Sequence, residues 1–244
     1  MEKEKASMQK ASRILPDVYL VGSSEISNPG DCMVYLVNCE SELALIDAGV
    51  SADTSKICRN IKRVGLDPED ISTLFITHSH IDHVGGAASF REKYGCKTVA
   101  HELDSDALER ADQELTGAVW YSQKLIPCKV DVKLSGSEGD VSVGNKTFRW
   151  IHTPGHTPGS ISILLNTSDG NILFAQDVHG PFMPQFRSNI SDWAESMKKL
   201  LDLDFDVLAE GHFGIYKPKN QAIKYIKSYL THYGYLEATC ARKT

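Results

Sequence analysis

The sequence predicts an α/β fold in which helices cover β-sheets. Strand-like and helix-like segments alternate from residue 13 to residue 233 of the 244-residue chain. Hydrophobic residues make up 41% and charged residues 24% of the chain, an ordinary balance for a globular domain. Because strands and helices are mixed throughout, without a linker or a repeat, we expect one domain at 13–244. A mobile tail is expected at residues 1–12.

Ten short segments are predicted as strands because they are rich in β-branched and aromatic residues and are bounded by turn residues. In chain order they are Arg13–Gly22, Cys32–Cys39, Leu43–Ile46, Thr73–Thr77, Lys97–Ala100, Lys129–Leu134, Lys146–Ile151, Ser160–Leu165, Asn171–Phe174 and Asp206–Leu208.

Helices are predicted where apolar residues recur every three or four positions. The first contains Ile57 and Ile61, is expected to be capped by Ser51 or Asp53, and ends at Gly65. The stretch from Glu102 to Lys124 is polar and has the weakest pattern. The other predicted helices run from Gly86 to about Tyr94, from Ile190 to Leu201 and from Lys217 to about Tyr233.

Charge and cysteine content exclude several classes of protein. With 26 Lys and Arg against 32 Asp and Glu, the net charge is −6, so non-specific nucleic-acid binding is not expected. The first ten residues carry five charges and no apolar core, unlike a signal peptide. No stretch approaches the roughly 18 apolar residues of a membrane span. The six cysteines form no C-x-x-C pair. We expect a cytoplasmic protein that binds a small-molecule substrate and no membrane; a homodimer is left open.

One cluster of side chains indicates a metal site. His78, His80, Asp82 and His83 fall within six residues, directly after a predicted buried strand. On an extended loop alternate side chains point the same way, so His78 and His80 can converge on one ion while the other two face a second. Such a cluster adds nothing to a core, because buried polar groups need partners.

Three later segments place another metal-binding residue at the end of a strand, next to glycine or proline. They are His156 in TPGHTPGS, Asp177 in LFAQDVHG and His212 in LAEGHFG. Glycine and proline hold an irregular backbone, which a loop needs if it is to direct one side chain to a fixed point.

Together, HSHIDH followed by VGG, TPGHTPGS, the aspartate after an apolar strand and the later GH resemble the metallo-β-lactamase fold superfamily, in the order in which the family carries them. Asp at position 177 is more similar to the glyoxalase II and lactonase groups than to true β-lactamases, which typically have Cys or Ser there. The resemblance implies a four-layer αββα sandwich of two mixed β-sheets flanked by helices, with metals at one edge.

The resemblance also implies roles for individual residues. His78, His80 and His156 would bind one ion, Asp82, His83 and His212 a second, with Asp177 bridging both and Asp47 orienting a ligand from behind. Family members commonly have Gly before the bridging aspartate, whereas this chain has Gln176.

Such a site supports hydrolysis. Two divalent cations are expected per chain, zinc first, with iron and manganese as alternatives. With Asp82, Asp177 and a bridging hydroxide, the formal charge of the site is about +1, which favours an anionic or carbonyl-rich substrate. Metal coordination lowers the pKa of water to roughly 7. The bridging hydroxide would attack an ester, thioester, lactone or lactam carbonyl, and Asp177 or Asp82 would relay the proton.

Pocket residues are less well defined by the sequence. His179 is a candidate because its loop leaves Asp177, whereas His101 and His152 are discounted. Tyr121, next to Trp120, either belongs to a lid over the metals or anchors a helix, and anchoring is preferred.

Three functions remain open. The first is a dinuclear hydrolase of esters, thioesters or lactones. The second is an oxidoreductase similar to persulfide dioxygenases, which share these motifs but bind a single iron through two His and one Asp. The third is a lactam hydrolase similar to β-lactamases. A flavodiiron-like electron carrier is disfavoured because such proteins generally have Glu at the position of His80.

Overall fold

Two mixed β-sheets of seven and six strands form the centre of the molecule. The computed structural model describes residues 10–236. In the first sheet the strands follow chain order, antiparallel from β1 to β4 and parallel from β4 to β7. They are β1 (Ser12–Leu15), β2 (Val18–Gly22), β3 (Val34–Asn38), β4 (Leu43–Ile46), β5 (Ile71–Phe75), β6 (Lys97–His101) and β7 (Val132–Leu134).

The second sheet has the order β13-β12-β11-β10-β9-β8, and only its β11–β12 pair is parallel. Its strands are β8 (Glu138–Val143), β9 (Lys146–His152), β10 (Ile161–Thr167), β11 (Gly170–Gln176), β12 (Val207–Glu210) and β13 (Ile215–Tyr216). The helices are α1 (Ser55–Arg63), α2 (Ile81–Val84), α3 (Ala87–Tyr94), α4 (Glu102–Glu109), α5 (Ile190–Leu201) and α6 (Lys219–His232).

Three apolar clusters separate the four layers. Strand β11 shows the alternation that builds them: Phe174 packs between the two sheets, whereas Leu173 faces the outer cluster that also contains Trp193 of α5. Between the sheets the rings of Phe75 and Phe148 lie 4.9 Å apart. A third cluster joins the first sheet to α1, α3 and α4. The αββα sandwich implied by the sequence is confirmed.

Several element boundaries differ from the predictions. The single strand predicted at Arg13–Gly22 is a hairpin, because Asp17 adopts a left-handed φ of 63° and turns the chain between β1 and β2. Strand β1 begins at Ser12, one residue before the predicted domain boundary. Strands β8 and β13 were not predicted. The N-cap of α1 is Thr54, although Asp53 accepts a hydrogen bond from the amide of Ser55.

The helix predicted from Glu102 to Lys124 is wrong beyond Glu109. Ala111 has a left-handed φ of 50°, and a short 3₁₀ turn, Ala118–Tyr121, follows further on. The weak apolar pattern in this stretch reflects a chain that packs by turns rather than by one helical face.

Other expectations concern the chain ends, the cysteines and membranes. Residues 1–9, most of the expected tail, lie outside the described residues, as does Cys240. The five cysteines within 10–236 are buried and unpaired. No helix in this part of the chain has the length and apolar character needed to span a membrane.

The buried ring of His101 makes folding stability depend on pH. It stacks on His152 with ring centroids 4.0 Å apart, and it is 2% exposed. Burial, and next the charge of His152, lowers the pKa of His101 below its ordinary value of 6.5. The folded state therefore favours the neutral ring. This contribution to stability is present above pH 6.5 and is lost as the pH falls through and below that value.

We expect His101→Gln to weaken this dependence. Between pH 7.5 and pH 5.5, urea unfolding of the metal-free protein should show a smaller loss of unfolding free energy for the variant than for the wild type. His232→Gln, at an exposed position, should keep the wild-type dependence. Equal losses in the wild type and His101→Gln would contradict the assignment.

Candidate metal centre

Loops that follow strands of both sheets carry the candidate ligands. The chain leaves β5 into His78 and His80, and α2 then carries Asp82 and His83. From the second sheet, the loops after β9, β11 and β12 carry His156, Asp177 and His212. Neighbouring parallel strands end at the same edge of a sheet, so the two parallel pairs β4–β5 and β11–β12 bring their loops to one edge of the sandwich.

The structure brings together all seven residues that the resemblance implies as ligands. They form two groups of four, and within each group the ligand atoms lie within 4.8 Å of one another. Asp177 belongs to both groups: its Oδ2 lies 3.4 Å from His156 Nε2, and its Oδ1 lies 3.2 Å from His83 Nε2. The groups are His78, His80, His156 and Asp177, and Asp82, His83, Asp177 and His212.

The donor atoms in these groups fit divalent metal ions. His78 Nε2 and His80 Nδ1 face each other at 3.1 Å, and His83 Nε2 lies 3.3 Å from His212 Nε2. Within residues 10–236, the buried His156 Nε2 has no hydrogen-bond partner. Leaving buried polar atoms without partners costs free energy. Because imidazole nitrogens and carboxylate oxygens are among the ligands that bind zinc in proteins, divalent cations would satisfy these atoms.

Electrostatics in the site also favour a cation. Burial lowers the pKa of His78 and His80 well below the ordinary value, so both rings are neutral, as a metal ligand must be. Burial acts to raise the pKa of Asp177, but the charges of His212 and His83 outweigh it and hold the pKa well below its usual range. Burial acts to lower the pKa of His212, but Asp177 and Asp82 raise it to about 10. The carboxylates therefore stabilise positive charge here.

Asp47 lies behind the ligands, at the end of β4. His83 Nδ1–H donates to Asp47 Oδ2 at 2.7 Å, which directs His83 Nε2 toward the other donors. The same carboxylate accepts the Thr77 amide at 2.9 Å and the Thr77 hydroxyl at 2.8 Å. Asp47 thus fixes both the orientation of a candidate ligand and the end of the strand that leads to His78.

A buried carboxylate that the sequence analysis missed joins two ligand loops. Asp104, in α4, is 2% exposed and accepts hydrogen bonds from the Ser79 amide at 2.8 Å, the Gly159 amide at 2.8 Å and the Thr157 hydroxyl at 2.7 Å. Ser79 lies between two candidate ligands, and the other two donors, one and three residues after His156, belong to the loop that carries His156. No motif identified Asp104, because an acidic residue in the first turn of a helix is common for dipole reasons alone.

Glu210, also missed, holds the turn that carries His212. Its side chain is fully buried, and its Oε2 accepts the amides of His212 and Phe213, each at 2.7 Å. Its Oε1 accepts the Nδ1–H of His179 at 2.8 Å. This bond leaves His179 Nε2 free to face the cavity described below.

Two backbone positions determine the conformation and packing around Asp177. Gln176, where family members commonly have Gly, has a left-handed φ of 54°, so the turn that glycine would favour is kept. Gly211 packs directly against Asp177, and a Cβ at this position would overlap the Asp177 Oδ1. Gly211 is therefore needed for close approach rather than for a turn.

A cavity of about 350 Å³ opens beside the two groups of ligands. His80, Asp82, Asp177 and His212 border it, and so do the two pocket candidates, His179 and Tyr121. The preference for Tyr121 and Trp120 as helix anchors is wrong. They are 42% and 52% exposed and line the cavity, because their 3₁₀ turn is anchored by the buried Ala118 instead.

We expect Gly211→Ala to disrupt metal binding, because the added methyl group displaces the Asp177 carboxylate. Metal content per chain after dialysis, measured by elemental analysis, should fall, with the far-ultraviolet circular dichroism unchanged. Gly95→Ala is the control: Gly95, unlike Gly211, has a positive φ, of 67°, but a Cβ there meets nothing within 4 Å, so this variant should keep its metal content. Full metal content in Gly211→Ala would show that the site tolerates the overlap.

We expect Asp104→Ala to weaken zinc binding by about 10- to 100-fold, the usual effect of losing a residue that orients ligands. Chelator competition measures the affinity. Asp106→Ala, in the same helix but exposed, should bind zinc as the wild type does. Unchanged affinity in a folded Asp104→Ala protein would mean that the two loops hold their positions without this carboxylate.

Comparison with known proteins agrees with this geometry. The family model described as the metallo-beta-lactamase superfamily matches residues 27–212. A probable metallo-hydrolase, YqgX of Bacillus subtilis, is 28% identical over 150 residues, which cover 60% of this chain and 68% of that protein. An N-acyl homoserine lactonase of a Bacillus species is 28% identical over 126 residues, 51% of this chain and 45% of that protein.

Among solved structures, a metallo-beta-lactamase variant from Cronobacter sakazakii superposes with a TM-score of 0.78 at 22% identity. The match covers 92% of this chain and 95% of that one, and it shows the shared fold. The family model spans well over half of the chain and includes every candidate ligand. The chain therefore belongs to the metallo-β-lactamase superfamily.

Proposed function

We propose that this protein is a dinuclear metal-dependent hydrolase of carbonyl compounds, namely esters, thioesters or lactones. The observation that carries the proposal is the position of Asp177, which two groups of donors share at the edge of a cavity. Relatives named as probable metallo-hydrolases support hydrolysis. The relative named as an N-acyl homoserine lactonase supports lactones among the candidate substrates.

Zinc is the proposed metal. His78, His80, His156 and Asp177 would hold one ion, and Asp82, His83, His212 and the same Asp177 would hold the other. When bound, the ions would supply hydroxide at neutral pH and positive charge for a developing oxyanion.

The chain's own residues provide the remaining functions. Asp82 and Asp177 border the cavity and can accept a proton and pass it to the leaving group. Asp47 and Glu210 fix the orientation of His83 and of the His212 turn, so the donors need little rearrangement during the reaction.

A zinc-loaded sample should hydrolyse 4-nitrophenyl esters or lactones, lose activity on chelation, and contain about two metal ions per chain. One iron per chain with thiol-dependent oxygen uptake would overturn the proposal in favour of a dioxygenase. Hydrolysis of β-lactams without hydrolysis of esters or lactones would leave a metallo-hydrolase but overturn the substrate class.

We expect Asp177→Ala to abolish ester or lactone hydrolysis, a fall of at least about 1,000-fold in kcat, because both groups of donors lose a member. Circular dichroism should show an intact fold. Asp140→Ala, at an exposed position in β8, should retain wild-type turnover. Wild-type turnover in Asp177→Ala would refute its bridging position.

A further inference from the structure

Large aromatic side chains that border the cavity are exposed to solvent. Trp120 is 52% and Phe213 58% exposed, and both line the cavity beside the candidate ligands. Exposed apolar patches bordered by polar residues are characteristic of ligand-binding grooves. The two rings come from different parts of the chain, the 3₁₀ turn after α4 and the turn between β12 and β13.

The wall formed by Trp120 is held in place. Its amide donates to the carbonyl of Gly117 at 3.0 Å, and its ring packs against Phe186 with centroids 4.9 Å apart. Phe186 is 5% exposed and also contacts the ring of His80 at 4.1 Å. Gly117 allows this packing, since a Cβ there would lie 3.2 Å from the Phe186 ring. The buried Phe186 ring therefore holds the Trp120 ring at the edge of the cavity.

The second exposed aromatic side chain, Phe213, is also held in place. The amide of Phe213 donates to the buried Glu210 carboxylate at 2.7 Å, and its ring contacts the ring of His179 with centroids 4.5 Å apart. Glu210 therefore ties the orientation of Phe213 to that of His212. An apolar group bound against Phe213 would lie next to the metal centre.

The charged residues of the cavity disfavour substrates that carry a carboxylate. None of the described residues that line it is a lysine or an arginine, and its two acidic residues, Asp82 and Asp177, belong to the groups of candidate ligands. A carboxylate on the substrate, away from the reacting carbonyl, would lose its hydration against the aromatic side chains, with no lysine or arginine in the lining to pair with it.

Resting on the hydrolase function proposed above, we infer that the substrate is an uncharged ester or lactone whose apolar acyl group packs against Trp120 and Phe213. The acyl group covers aromatic surface that is otherwise exposed. The site charge by itself is compatible with both anionic and carbonyl-rich substrates. The aromatic lining narrows these to carbonyl compounds that lack a carboxylate.

A matched pair of substrates tests the inference. In 4-nitrophenyl hexanoate and mono-4-nitrophenyl adipate the acyl chain has the same length, but it ends in a methyl group or a carboxylate. With the zinc-loaded enzyme, kcat/KM for the hexanoate should exceed that for the adipate at least 10-fold. From acetate to hexanoate, kcat/KM should rise about two- to fourfold per added methylene. Equal values for the pair, or no rise with chain length, would overturn the inference.

Substitutions of the two aromatic side chains test whether they contact the acyl chain. Trp120→Ala and Phe213→Ala should each reduce the rise with chain length, and Phe213→Lys should narrow the difference between hexanoate and adipate. Val119→Ala is the matched control, because Val119 is 56% exposed but does not line the cavity, and it should match the wild type. An unchanged chain-length dependence in both alanine variants would overturn the assignment of these walls. Failure to hydrolyse any ester or lactone would instead overturn the proposed function.

Discussion

Two buried carboxylates among five imidazole rings form the constraint on which this structure depends. Asp82 and Asp177 are 5% and 3% exposed, and burying a charge is costly unless it is paired. Protonated histidines can balance part of the negative charge of the two carboxylates, whereas divalent cations can be bound by all the donors at once. The fold places an apolar sandwich behind this cluster, so the required positive charge is confined to one edge.

A second set of buried carboxylates keeps the donors in place. Asp47, Asp104 and Glu210 each accept at least three hydrogen bonds from the loops that carry candidate ligands. Each buried carboxylate is therefore satisfied by amides, hydroxyls or a ring N–H. Loops are usually the most mobile parts of a domain, and this network makes them act as extensions of the sheets.

The sequence identified the candidate ligands and one of their supports, Asp47, but not the other two supports, Asp104 and Glu210. His78, His80, Asp82 and His83 lie together in the chain, and few other roles explain so many polar residues after a buried strand. Asp104, in contrast, acts on amides 25 and 55 residues away, so its role exists only in the folded chain. The αββα layers followed from the resemblance, whereas the turns between α4 and β7 were missed, because their weak apolar pattern does not reveal local packing. The aromatic walls came from that same stretch and from the turn after Glu210.

The candidate ligands divide between the two sheets: those after β5 belong to the first, and those after β9, β11 and β12 belong to the second. Ions held by both sets would act as cross-links between the halves of the sandwich. Separating the sheets would then require release of the metal. A ligand that binds only the folded state raises the free energy of unfolding, and this increase grows with the logarithm of the ligand concentration. The resistance of the two sheets to separation would therefore increase with the concentration of free metal.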